Sequence, residues 1–185
     1  MSETPDIKEQ FTRMIIASFF TALMIAGAYI RIPLGPVPIV LTNLFVLLAG
    51  LVLGPKWGAA SAGVYLLIGA LGLPVFSAGG GIALFAGPTG GYLISFPVSA
   101  FVCGLIAQKG RRPGMSAIFA LIAGTLIIYL IGVPWLAWSI SISLKKALAI
   151  GLAPFLPGDA VKGAAAFTVF SYLKKAKPEL VFTLN

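Results

Sequence analysis

The chain has 185 residues, 59% hydrophobic and only 10% charged, with a mean hydropathy of +1.03. Soluble domains carry about 25% charged residues, so this composition calls for lipid around it, and the length suits a single domain over residues 1–185. Net charge is +8, there is no histidine and Cys103 is the one cysteine, which excludes a histidine-based triad, a Cys/His zinc site and an internal disulfide.

The first ten residues carry Glu3, Asp6 and Glu9, unlike a signal peptide, and the apolar run after them has no small-residue cleavage site. That run, Phe11 to Ile30, is long enough to cross about 30 Å of hydrocarbon. Arg31, Pro33 and Pro36 end it. A second run, Val37 to Leu53, stops at Gly54-Pro55-Lys56, and a third, Trp57 to Leu73, stops at Pro74. The short connection at 54–56 makes these two an antiparallel hairpin. A Gly-rich stretch from Ser77 to Gly91 follows, too rich in glycine and proline for a regular helix. The fourth run, Tyr92 to Ala107, ends at Lys109, Arg111 and Arg112, and the fifth is Ser116 to Val133. Trp135 to Pro157 is apolar but interrupted by Lys145, Lys146, Pro154 and Pro157, and reads as a short interfacial or re-entrant helix. The last helix starts near Asp159 and ends at Lys174, Lys175 and Lys177. The expected fold is an all-α integral membrane bundle of six spans, with a Gly-rich outer loop between the third and fourth and a short interfacial helix before the sixth.

The basic residues lie between apolar runs, where they set membrane topology; they form no nucleic-acid patch. With the N-terminus in the cytoplasm, nine of them are cytoplasmic: Lys8, Arg13, Lys56, Lys109, Arg111, Arg112, Lys174, Lys175 and Lys177. Three are outside: Arg31, Lys145 and Lys146. This orientation puts residues 1–10 and the tail 174–185 inside the cell. It puts the Gly-rich stretch and the Leu156-Pro-Gly-Asp159 turn together on the outer side.

Asp159 is the only carboxylate between Glu9 and Glu179, and Lys162 follows three residues later. A charge inside a bilayer segment costs at least about 2.5 kcal/mol and usually faces a bundle interior or a water-filled cavity. Two readings stand. In one, Asp159 caps the helix after the Pro157-Gly158 break, with Lys162 as its counter-ion. In the other, both face an outward-open pocket, Asp159 accepting N–H donors and Lys162 donating to a carbonyl or carboxylate. The Gly-rich stretch reads as a flexible linker or as a lid where backbone approaches a ligand. It has no G-x-x-x-x-G-K-[ST] phosphate loop. Ser77, Thr89 and Tyr92 supply donors there, and Phe76, Phe85 and Tyr92 supply rings that suit a ligand or an interfacial aromatic belt equally. Ala22 and Ala26 are spaced for close helix approach, either within the bundle or to a partner. Asn43 is a polar residue within the second run, suited to an interhelical bond or to a pocket. Nothing here has the paired acid and base or activated nucleophile of an enzyme. The residues lead to a membrane protein with an outward-facing polar pocket for a small, mostly apolar ligand.

Six segments resemble the BioY family, the biotin-specific S components of energy-coupling factor (ECF) transporters. They are Gly35-Pro-Val-Pro-Ile39, Leu44-Phe-Val-Leu-Leu-Ala-Gly50, Leu53-Gly-Pro-Lys-Trp-Gly58, Gly72-Leu-Pro-Val-Phe76, Gly87-Pro-Thr-Gly-Gly-Tyr92 and Pro154-Phe-Leu-Pro-Gly-Asp-Ala-Val-Lys162. The resemblance implies six helices with both termini cytoplasmic, in the plasma membrane. It implies biotin capture from outside, with a transmembrane coupling subunit and two cytosolic ATPases as partners, and no cofactor. It also implies that Ala22 and Ala26 face the coupling subunit. It nominates Asp159, Lys162, Asn43, Thr89, Gly90, Gly91, Tyr92 and Phe85 for the biotin site, with Asp159 accepting from the ureido N–H groups. Lys162 would meet the ureido carbonyl or the carboxylate. One departure is plain: Leu41-Thr-Asn-Leu44 has Thr42 where the family usually has Gln. The rival readings are a structural membrane protein, an S component for another vitamin, and a proton-coupled carrier working alone.

Overall fold

Proline and glycine mark most of the boundaries in the computed structural model, which describes residues 7–181 apart from 34 and 111. The acidic head with Glu3 and Asp6, the side chains of Lys8 and Glu9, Arg111 and residues 182–185 lie outside the described residues. Helix α1 runs Ile7–Tyr29. The next residues form a small ribbon that the all-α expectation did not include. Strand β1 (Arg31–Ile32) pairs antiparallel with β2 (Ile39–Val40), Arg31 opposite Val40. Gly35 turns the chain between them at φ 79°. The helix expected from Val37 therefore begins at Thr42, because residues 37–41 are held by the ribbon and by Leu41 N–H donating to the Gly27 carbonyl at 3.0 Å.

Helix α2 (Thr42–Ala70) reverses at Gly54, whose φ of 81° and ψ of −176° leave the helical region. Residues eight apart on a straight helix are about 12 Å apart. Here a Cβ placed on Gly58 would lie 2.9 Å from the Gly50 Cα. The two arms, 42–53 and 55–70, are thus a hairpin turned at one glycine, with Pro55 opening the return arm.

The Gly-rich stretch holds one turn of helix, α3 (Ala83–Ala86), despite its composition. Helix α4 (Gly90–Lys109) and α5 (Pro113–Ser139) follow. Helix α5 continues through Pro134, so Trp135 to Ser139 belong to it and not to a separate interfacial helix. Membrane helices tolerate such prolines because neighbouring groups satisfy the freed backbone. Helix α6 (Leu144–Gly151) is short, capped by Ser143, and α7 spans Leu156–Ala176.

Helices α2 and α4 form the central layer, with α1 against α2, α5 against α4, and α7 packed more on α2 than on α5. Small residues allow these approaches: a Cβ on Gly104 of α4 would meet the Gly54 carbonyl carbon at 2.5 Å. Buried hydroxyls are bonded between helices, Thr21 to the Ser61 carbonyl at 2.9 Å and Ser99 to the Gly124 carbonyl at 2.8 Å. Such pairing is needed where no water reaches. The outside of the bundle is apolar, with Phe19, Ile118, Ile122, Leu126 and Leu130 exposed. Four helices among the described residues, α1, α2, α4 and α5, are long and apolar enough to cross a bilayer. The chain is a multi-pass, membrane-embedded helical bundle.

Candidate ligand-binding site

The end of the bundle opposite Gly54 gathers three connections: the β1–β2 ribbon, the segment 71–89 and the α6–α7 link. Beneath them lies a central pocket. Its wall takes Val37, Pro38 and Val40 from the ribbon, Thr42, Asn43 and Tyr65 from the two arms of α2, and Ser77 and Thr89 from the Gly-rich stretch. Tyr92 and Phe96 from α4, Tyr129 from α5 and Phe155 close it. The free volume is about 40 Å3, room for a few waters, whereas small-molecule sites measure roughly 300–1,000 Å3. A vitamin-sized ligand enters only if the wall opens.

The aromatic side chains are locked by one another and by backbone. Tyr65 meets Phe76 edge-on at 5.2 Å, and Phe76 meets Phe85 at 5.7 Å. Tyr92 and Tyr129 stand perpendicular at 6.5 Å. The Tyr92 hydroxyl donates to the Gly151 carbonyl at 2.8 Å, tying α4 to the end of α6. Tyr92→Phe removes that bond, which is worth about 1 kcal/mol. Its thermal midpoint in detergent is expected to fall by roughly 2–4 °C; an unchanged midpoint contradicts the tie. Thr42 is 1% exposed, donates to the Met24 carbonyl at 3.2 Å and meets the Tyr65 hydroxyl. The shorter side chain at this position thus serves the wall by joining α1 to both arms of α2.

Asp159 is placed differently from the capping expectation. Helix α7 starts at Leu156, and the Asp159 N–H already donates to the Phe155 carbonyl at 2.8 Å. Pro157 is accommodated in the first turn, where its missing N–H costs nothing. Asp159 is therefore inside the helix and does not cap it. Its carboxylate instead pairs with Lys162 Nζ at 2.9 Å and accepts a hydrogen bond from the Tyr129 hydroxyl. Both side chains of the ion pair are about nine-tenths buried.

Of the nominated residues, Asn43, Thr89 and Tyr92 line the central pocket. Asp159 stands behind Tyr129, facing an apolar groove of about 500 Å3 between α5 and α7, and Lys162 lies behind Asp159. Tyr129 lines both cavities and so forms the partition between them. Gly90 and Gly91 do not line the pocket: they pack against the Phe85 carbonyl and Trp135, where a Cβ on Gly91 would come 2.3 Å from the Trp135 Cβ. Phe85 supports the wall from behind Phe76. Tyr65 and Tyr129 escaped the sequence reading. The available signal was a hydroxyl inside an apolar run, since a buried tyrosine O–H needs a partner.

The profile of the BioY family matches residues 2–179. The chain belongs to the BioY family. It is 42% identical over 168 residues to the biotin transporter BioY of Thermotoga maritima, covering 90% of this chain and 98% of that protein. It is 40% identical over 180 residues to the biotin transporter BioY of Rhodobacter capsulatus, covering 87% and 94%. Among solved structures it resembles the S component for biotin from an ECF-type ABC transporter. That match has a TM-score of 0.87 and 30% identity, and covers 96% of this chain and all of that one. BioY-family membership makes this a transport protein and not an enzyme.

Proposed function

We propose that this chain captures biotin with high affinity outside the cell and delivers it across the membrane as the S component of an ECF-type transporter. The observation that carries this reading is the likeness to the biotin S component over almost the whole chain, with 96% covered at a TM-score of 0.87. The pocket suits the ligand. Apolar and aromatic walls accept the fused rings, and Asn43, Thr89, Tyr92 and Tyr129 offer polar groups for the ureido ring.

Asp159 is the acceptor for a ureido N–H. In the structure the Tyr129 hydroxyl occupies that acceptor, so ligand binding exchanges an O–H donor for an N–H donor and leaves the carboxylate satisfied. Lys162 holds the Asp159 carboxylate in position through the ion pair at 2.9 Å. Gly90, Gly91 and Phe85 hold the wall from behind.

Counting the two arms of α2 separately and adding α7 makes six spans. The excess of Lys and Arg on one side of the spans supports both termini in the cytoplasm and the pocket outside. The chain works with a transmembrane coupling subunit and two cytosolic ATPases. Ala22 and Ala26 are exposed on α1 and form the contact with the coupling subunit.

Equilibrium binding of labelled biotin to the purified protein in detergent tests the reading: one tight site per chain supports it. No binding returns the protein to a structural role, and binding of a different vitamin reassigns the pocket. Leucine at both Ala22 and Ala26 is expected to leave biotin affinity within about twofold while abolishing co-purification with the coupling subunit, because small-residue faces fail when bulk is added. Undiminished co-purification contradicts that contact.

A further inference from the structure

Biotin carries one charge, the carboxylate at the end of its tail, and the proposed function leaves that charge without a partner. Lys162 is poorly placed to meet it. Its ammonium is neutralised by Asp159 at 2.9 Å, and it lines neither the central pocket nor the cavity adjoining it. That second cavity has a volume of about 410 Å3 and shares Pro38, Ser77 and Thr89 with the central pocket. Among the described residues lining the two, Arg31 is the one charged side chain, and no acidic residue competes for it there.

Arg31 is also held ready. The ribbon sets its register opposite Val40, and its guanidinium donates to the Ser77 carbonyl. This bond fastens the ribbon to the segment that walls both cavities. A guanidinium has five N–H donors, so one bond to Ser77 leaves a fork able to take a carboxylate in two parallel hydrogen bonds.

We propose that Arg31 is the residue that recognises the ligand's carboxylate, in a vestibule above the central pocket. The inference rests on the biotin reading and adds a direction to it. The uncharged ring system goes inward, beneath Tyr92 and Tyr129, and the tail points outward to Arg31. It also adds a specificity: an acid is favoured over its neutral amide. A further consequence concerns closure. A carboxylate bridging Arg31 would pull on the ribbon and, through Ser77, on the segment that must reseat over a filled pocket.

The test compares biotin with its primary amide, biotinamide, on the purified full-length protein in detergent, using wild type, Arg31→Gln and Arg31→Lys. Wild type is expected to bind biotin at least tenfold tighter than biotinamide. Arg31→Gln should weaken biotin at least tenfold and leave biotinamide within twofold, so that the preference disappears. Arg31→Lys, which keeps the charge but not the fork, should fall between the two. The assignment is overturned if wild type binds acid and amide equally, or if Arg31→Gln weakens both ligands by the same factor, the signature of a merely structural role. Wild-type protein that binds neither ligand overturns the biotin reading itself, and this assignment with it.

Discussion

Lys162→Met is expected to destabilise the protein by roughly 3–5 kcal/mol, and Asp159→Asn by a comparable amount, because each strands the other's buried charge. The geometry makes the loss hard to avoid. Both side chains are about nine-tenths buried, and among the described residues the one other partner of the Asp159 carboxylate is the Tyr129 hydroxyl. Replacing both at once, Asp159→Asn with Lys162→Met, removes both charges. Stability should then recover by at least about 2 kcal/mol over either single variant, since no buried charge is left without a counter-charge. Biotin binding should not recover, because a neutral amide oxygen replaces the ionised acceptor for the ureido N–H and the charge-assisted bond, about twice as strong, is lost: affinity stays at least tenfold below wild type in the double variant. Thermal unfolding and biotin titration on the same preparations separate the two roles. Single variants as stable as wild type would show that the pair is not load-carrying for the fold. Wild-type affinity in the double variant would show that it plays no part in the site.

Gly104→Val is expected to prevent folding. Any Cβ at this position meets the Gly54 carbonyl carbon and the Pro55 nitrogen at 2.5 Å. Both are backbone atoms at the reversal of α2, so nothing can swing aside. Relief requires α4 to move off the hairpin, and α2 and α4 are the layer on which the rest packs. Overpacking a tight core costs typically 1–3 kcal/mol and occasionally more. For Gly104→Ala a loss at the upper end, about 3 kcal/mol, is expected, and valine exceeds what the bundle tolerates. The control is Gly63→Ala on the return arm, where a Cβ meets nothing within 4 Å. That change should be neutral or slightly stabilising, since alanine is the better helix former by about 1 kcal/mol. The measurement is the yield of monodisperse protein by size exclusion in detergent, with the thermal midpoint of whatever folds. Wild-type yield from Gly104→Val would contradict the packing described for the central layer.

These two cases show what hydrophobic pattern and punctuation convey. Gly54-Pro55 announced a reversal in the chain because few other residues tolerate a φ of 81°. Apolar runs, however, do not distinguish an extended segment from a helix. Residues 37–41 therefore read as helix, although Ile39 and Val40 among them pair with β1. Pro134 read as an end, although α5 absorbs it, because a bilayer setting lets neighbours compensate for a missing N–H. At the site, Asp159 was visible as a lone buried acid, and Lys162 as its partner one turn on. Its helix position was misjudged because Pro157 was taken for a break when it sits comfortably within the first turn of α7. Tyr65 and Tyr129 were counted with the apolar residues, and only the three-dimensional arrangement shows their hydroxyls at the pocket wall. The nominated glycines shaped the wall from behind, which no local pattern distinguishes from lining it. Arg31 served the sequence reading as a topology marker. Its place beside Ser77 and Thr89 depends on long-range packing of the ribbon against the Gly-rich stretch.

Biotin is expected to occupy the pocket beneath Tyr92 and Tyr129. A structure of the protein with biotin bound tests it most directly. The ring system is expected between Tyr92, Tyr129 and Asn43, with the Tyr129–Asp159 hydrogen bond broken, a ureido N–H on Asp159, and the carboxylate towards Arg31. Biotin lodged in the groove between α5 and α7, with the Tyr129–Asp159 bond intact, would contradict it.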